Sequence, residues 1–118
     1  MRVLVVDDAP YMIKALRDLL EAYGHEVYEA FNGKEAMVRY AEVRPDVVLM
    51  DLLMPTLDGV SATKRIMEQD SKANIIVITA VGKSGLEKDC LAAGAKKFIV
   101  KPFKTKELLN SIEALART

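Results

Sequence analysis

The sequence of 118 residues has no tryptophan, one cysteine, four prolines and six glycines, and its seventeen lysines and arginines are cancelled by seventeen aspartates and glutamates. Each scarcity excludes something. A lone Cys90 cannot close an internal disulfide, and with no secretory signal ahead of Val3 the expected setting is a reducing cytoplasm. No apolar run approaches the roughly 20 residues that cross a bilayer, so membrane insertion is not expected. Zero net charge argues against nucleic acid or an anionic membrane as the main partner. Few glycines and prolines, no repeat, and 51% hydrophobic against 29% charged residues exclude a disordered or low-complexity chain.

A chain of this length exposes about 6,400 Å² when folded and about 19,000 Å² when extended, enough burial for one core. Residues 1–118 are therefore expected to form a single domain, with no length left for an effector module. The zero charge is also only a sum. Residues 1–60 carry six basic and eleven acidic side chains, whereas residues 83–106 carry seven lysines against Glu87 and Asp89.

Five short apolar runs, at residues 3–6, 27–30, 47–50, 75–78 and 98–100, are rich in β-branched or aromatic side chains and too short for buried helices. They read as strands. Between them lie stretches with helical spacing, such as Ile13, Leu16, Leu20 and Tyr23, or Leu108, Ile112 and Leu115, with charges on the other face. Gly24 and Gly94 fit positions just past a helix end, Pro10 fits a first turn, and Asn32 and Thr105 fit N-caps. Alternating strands and helices predict an α/β fold: a doubly wound, flavodoxin-like (βα)5 sandwich around a five-stranded parallel sheet. The order 2-1-3-4-5 is the economical one. It puts the most continuously apolar strands, the first, third and fourth, in the middle.

In such sheets chemistry gathers beyond the carboxyl ends of the strands, at the point where strand order reverses, here between the first and third strands. Those ends carry Asp7 and Asp8, Asp51, Thr79 and Lys101; only the second strand ends without such a group. Three neighbouring carboxylates repel one another and call for a cation. Oxygen donors in an incomplete cage suit Mg²⁺. With Lys101 as a second positive charge and Thr79 as a hydroxyl donor, the set is equipment for phosphoryl transfer, and a carboxylate nucleophile would make it an aspartyl phosphate.

The motifs Val5-Val6-Asp7-Asp8, Val48-Leu49-Met50-Asp51-Leu52-Leu53-Met54-Pro55 with Asp58-Gly59, Ile78-Thr79-Ala80 and Phe98-Ile99-Val100-Lys101-Pro102-Phe103 carry a resemblance over nearly the whole chain. In order and spacing the sequence resembles the receiver domains of two-component response regulators, and in size their single-domain chemotaxis members. The resemblance implies that Asp51 is the phosphoacceptor. It further implies that Asp8, Asp51 and the Leu53 backbone carbonyl bind Mg²⁺, with Asp7 acting mostly through water, and that Lys101 contacts Asp51 or its phosphoryl group. Thr79 would swing to a phosphoryl oxygen and Phe98 would turn inward, changing the surface of the fourth helix, fifth strand and fifth helix. The Lys101-Pro102 bond would be cis. The implied donor is a sensor histidine kinase or a histidine phosphotransfer protein, and the implied output is a downstream protein target.

Several features are expected to be structural. His25 should be a solvated turn residue, and Cys90 a small apolar packer. The lysines from Lys83 to Lys106 should form a solvated face that overlaps the implied output surface. Residues 81–86, with Gly82 and Gly85, should be the most mobile part of the fold. Two rival functions fit the residues less well. A Mg²⁺-dependent phosphohydrolase resembling the haloacid dehalogenases needs an acid two residues after its nucleophile, where this chain has Leu53. A flavodoxin-like cofactor binder needs a phosphate-cradling loop after the first strand, where Asp7 and Asp8 would repel phosphate. A switch that undergoes self-phosphorylation and slow autodephosphorylation, not a turnover enzyme, is the expected function; a phosphorelay intermediate or one receiver of a longer regulator fits the same residues.

Overall fold

The structure is a computed structural model that describes residues 1–54, 56–82 and 84–116. Five strands, β1 (Arg2–Val6), β2 (Glu26–Ala30), β3 (Val47–Met50), β4 (Ile75–Thr79) and β5 (Lys97–Val100), alternate with five helices, α1 (Pro10–Ala22), α2 (Gly33–Val43), α3 (Gly59–Gln69), α4 (Ser84–Ala93) and α5 (Thr105–Ala116). All strands are parallel, in the order β2-β1-β3-β4-β5. The expected topology holds. The strands expected in the middle, β1, β3 and β4, are buried along their lengths except for Arg2 at the start of β1.

Continuous apolar strands follow from burial on both faces. In β1, Val3 and Val5 point to a cluster with Ile13, Leu16 and Leu20 of α1 and Leu108 and Ile112 of α5. Leu4 and Val6 point the other way, to Ala36 and Tyr40 of α2 and Ala62 and Ile66 of α3. A third, smaller cluster of Leu52, Val77, Cys90 and Ala95 lies under α4, with Phe98 packed against it.

Helix ends confirm most of the expected punctuation. Pro10 opens α1, and the Asn32 side chain accepts from the Glu35 N–H as N-cap of α2. Gly24 and Gly94 take φ of +88° and +117°, conformations that glycine adopts without a Cβ clash. Two expectations need correction. Thr105 is the first residue of α5 and not its cap, since the Lys104 carbonyl already accepts the Leu108 N–H at 3.2 Å. His25 is half-buried, with Nδ1 3.4 Å from the Met1 amino group, because the turn after α1 folds back against the start of β1. Lys83, in the stretch expected to be mobile, and Pro55, in the Asp51 motif, lie outside the described residues.

Candidate metal and phosphoryl site

Parallel pairing brings the ends of β1 and β3 level: Val6 pairs with Met50, so Asp7, Asp8 and Asp51 leave the sheet side by side. The Asp51 N–H continues the ladder to the Val6 carbonyl at 3.0 Å, and the Asp7 N–H does so to Ala30 at 3.2 Å. Asp7, Asp8 and Asp51 each offer a carboxylate oxygen, and these atoms all lie within 4.8 Å of one another. Their exposures differ: Asp7 is buried, Asp51 half-buried and Asp8 exposed.

The electrostatics follow from that crowding. Burial, and then the negative charge of Asp7, push the Asp51 carboxyl from 3.8 up to about 6, while Lys101 and the Leu52 N–H oppose the rise. Asp7 is tied on both oxygens. Its Oδ1 accepts the Ala9 N–H at 2.9 Å, and its Oδ2 accepts Lys101 Nζ at 3.3 Å. Lys101 thus bonds to Asp7 in this structure and acts on Asp51 through its charge.

Lys101 reaches the site because its N–H bonds the Thr79 carbonyl at 2.7 Å, joining the ends of β4 and β5. Its peptide bond to Pro102 is cis. Thr79 is fully buried, and its Oγ1 accepts the Val81 N–H at 3.1 Å, a local turn that orients the side chain. Phe98 is half-buried against the cluster below α4. Leu53, two residues beyond Asp51, is 62% exposed at the mouth of the site.

Two glycines shape this mouth. A Cβ at Gly59 would collide with the Asp51 carbonyl oxygen and the Leu52 Cα, and one at Gly33 would collide with the backbone of Leu57. The β3–α3 loop is thereby clamped between the starts of α3 and α2. Asp58 finishes the clamp as N-cap of α3, accepting from the Ser61 N–H and hydroxyl, both at 3.0 Å, which holds its carboxyl below the ordinary range. The tight fit at Gly33 is nearly silent in the sequence. Its only local signal is a glycine directly after the Asn32 cap.

A buried and a half-buried carboxylate beside an exposed one, with oxygen atoms converging, suit a hard divalent cation such as Mg²⁺. The comparisons agree with the geometry. Residues 3–113 match the sequence profile of the response regulator receiver domain.

The chain belongs to the response regulator receiver family. It is 43% identical over 117 residues to the chemotaxis protein CheY of Thermotoga maritima, covering 98% of each chain. Among solved structures it superposes with a TM-score of 0.93 and 37% identity on a chain of the CheX-CheY-BeF3-Mg²⁺ complex of Borrelia burgdorferi, covering 98% of this chain and 88% of that one. It also matches the receiver domain of a Pseudomonas aeruginosa sensor histidine kinase, whose active-site cleft coordinates magnesium, at a TM-score of 0.91 and 32% identity over 99% and 98% of the two chains. As a receiver domain of the CheY type, the chain is a component of two-component signalling. No helix among the described residues is long and apolar enough to cross a membrane.

Proposed function

We propose that this receiver is a phosphorylation-activated switch that accepts a phosphoryl group on Asp51 from a histidine kinase or a histidine phosphotransfer protein. The observation that carries this reading is the convergence of three carboxylates at one sheet edge, with Lys101 bonded among them. Asp51 would attack phosphorus in line, its O–P bond forming as the N–P bond of a phosphohistidine breaks. Asp8, Asp51 and the Leu53 carbonyl would hold Mg²⁺, with Asp7 acting mainly through water; the ion supplies positive charge against the phosphoryl oxygens.

The remaining steps belong to the chain itself. Lys101 would leave Asp7 for a phosphoryl oxygen, a stronger charge-assisted partner. Thr79 would give up its turn with the Val81 N–H to donate to another oxygen, and Phe98 would follow into the space under α4. The surface of α4, β5 and α5 then changes, and a downstream protein reads it in the cytoplasm. Leu53 stands where a phosphohydrolase needs an acid and can neither protonate a leaving group nor activate water. Slow loss of the phosphoryl group without general turnover is the consequence.

The test is intact-mass measurement after incubation with Mg²⁺ and acetyl phosphate or phosphoramidate. Wild type gains one phosphoryl mass, and the gain disappears in Asp51→Asn and with a chelator. No gain under any condition would overturn the reading, as would rapid turnover of phosphate esters by unaltered protein.

A further inference from the structure

Thr63 of α3 is fully buried, and its Oγ1 is the one buried side-chain nitrogen or oxygen among the described residues without a hydrogen-bond partner. A helical hydroxyl has an easy remedy in the carbonyl four residues back, and Ser111 uses it, donating to Glu107 at 2.9 Å. Thr63 does not. Such a group loses its water on folding and regains nothing, so any motion that wets it is favoured by that amount.

Its location follows from helix register. α3 and α4 are successive crossovers of a parallel sheet, so they run in the same direction side by side. Near their C-terminal ends a side chain at Gly94 would collide with Met67. One turn back on each helix sets Thr63 opposite Cys90, and a further turn sets Val60 near Leu86. Val60, Leu86 and Cys90 indeed share the cluster into which Phe98 packs. The orphan hydroxyl thus sits in the α3–α4 seam. α4 is lightly anchored: among the described residues its buried side chains are the small Cys90 and Ala93, whereas α1 contributes Ile13, Leu16 and Leu20.

We propose that Thr63 is a positioning residue for α4: its unpaired hydroxyl destabilises the docked helix, so that α4 separates from α3 more readily than α1 or α5 leaves the opposite face. The second half of the inference rests on the proposed function. A destabilised docked state brings the rearranged α4 surface closer in free energy, so modification of Asp51 needs less differential affinity to populate it.

The experiment compares wild type, Thr63→Val, which keeps shape and removes the hydroxyl, and Thr63→Ser, which keeps the hydroxyl. Amide exchange across residues 86–93 slows about fivefold in Thr63→Val, with α1 and α5 unchanged and no slowing in Thr63→Ser. Unchanged or faster exchange in Thr63→Val overturns the proposal, because the hydroxyl is then satisfied; equal slowing in every helix overturns it too, because the effect is then global. The second readout is binding of beryllofluoride with Mg²⁺, a phosphoryl mimic, which weakens in Thr63→Val by about the same factor. Equal affinity in the two proteins overturns the link to switching. Wild type that binds no beryllofluoride overturns the phosphoacceptor reading and that link together, while the exchange result still decides the seam.

Discussion

At the scale of single residues, the proton on Asp51 is the most sensitive reporter of the site. Its carboxyl titrates near 6 in the fold against 3.8 ordinarily, so between those values the native state holds a proton that the unfolded chain has released. Stability from this group is therefore greatest below about pH 4 and is lost as pH rises through about 6. At pH 7 the metal-free protein carries the whole penalty, and Asp51→Asn removes it. Because Asp51 is only half-buried, solvent screens part of this penalty, and the variant should be more stable by about 1–2 kcal/mol in urea unfolding at pH 7. Equal or lower stability would contradict the assigned cause. The carboxylates, Thr79 and Lys101 were legible as chemistry because each ends an apolar strand. The Lys101 bond to Asp7 and the Thr79 bond to Val81 were not, since sequence names the groups at an edge and not which pairs form there.

At the scale of elements, the site depends on how closely the starts of α2 and α3 approach the β3–α3 loop. Gly59 has no Cβ because the Asp51 carbonyl and Leu52 Cα occupy that space, and both are backbone atoms that cannot turn aside. Gly59→Ala should cost about 2–4 kcal/mol in thermal or denaturant unfolding and should weaken Mg²⁺ binding, because relief of the clash shifts Asp51 itself. A loss under about 0.5 kcal/mol would show that the loop yields freely. Helix existence and direction were legible from periodicity, since the buried face repeats every three or four residues in α1 and α5. Helix ends were less so. Thr105 looks like a cap and is instead the first helical residue, while α2 ends on Arg44 at φ 49°, with no glycine to announce it. Arg44 caps α2 in that conformation with its N–H on the Tyr40 carbonyl four residues back, a closure within the last turn of the helix itself.

At the scale of the whole molecule, binding of Mg²⁺ at the proposed site should be linked to folding, because the three carboxylates meet only in the folded chain. Mg²⁺ at a hundred times its Kd should raise unfolding free energy by about 2.7 kcal/mol, read from the urea midpoint. Asp8→Ala should abolish most of that increment; an unchanged increment would place the ion elsewhere. The opposed charge of the two ends of the sequence finds its meaning here. The acidic first sixty residues include Asp7, Asp8 and Asp51, and the basic stretch sends Lys101 across the sheet to join them, so zero net charge conceals a site built from both. The five strands, their parallel order and the residues at their ends follow from the pattern of residues along the chain, because burial on both faces forces apolar runs and the short crossovers leave one economical topology. The tertiary structure alone decided which carboxylate holds Lys101, how far Asp51 is pushed toward neutrality, where glycines admit a neighbouring backbone, and that Thr63 is left without a partner. Those outcomes depend on distances of a few ångströms between segments far apart in the chain, and periodicity carries no information at that range.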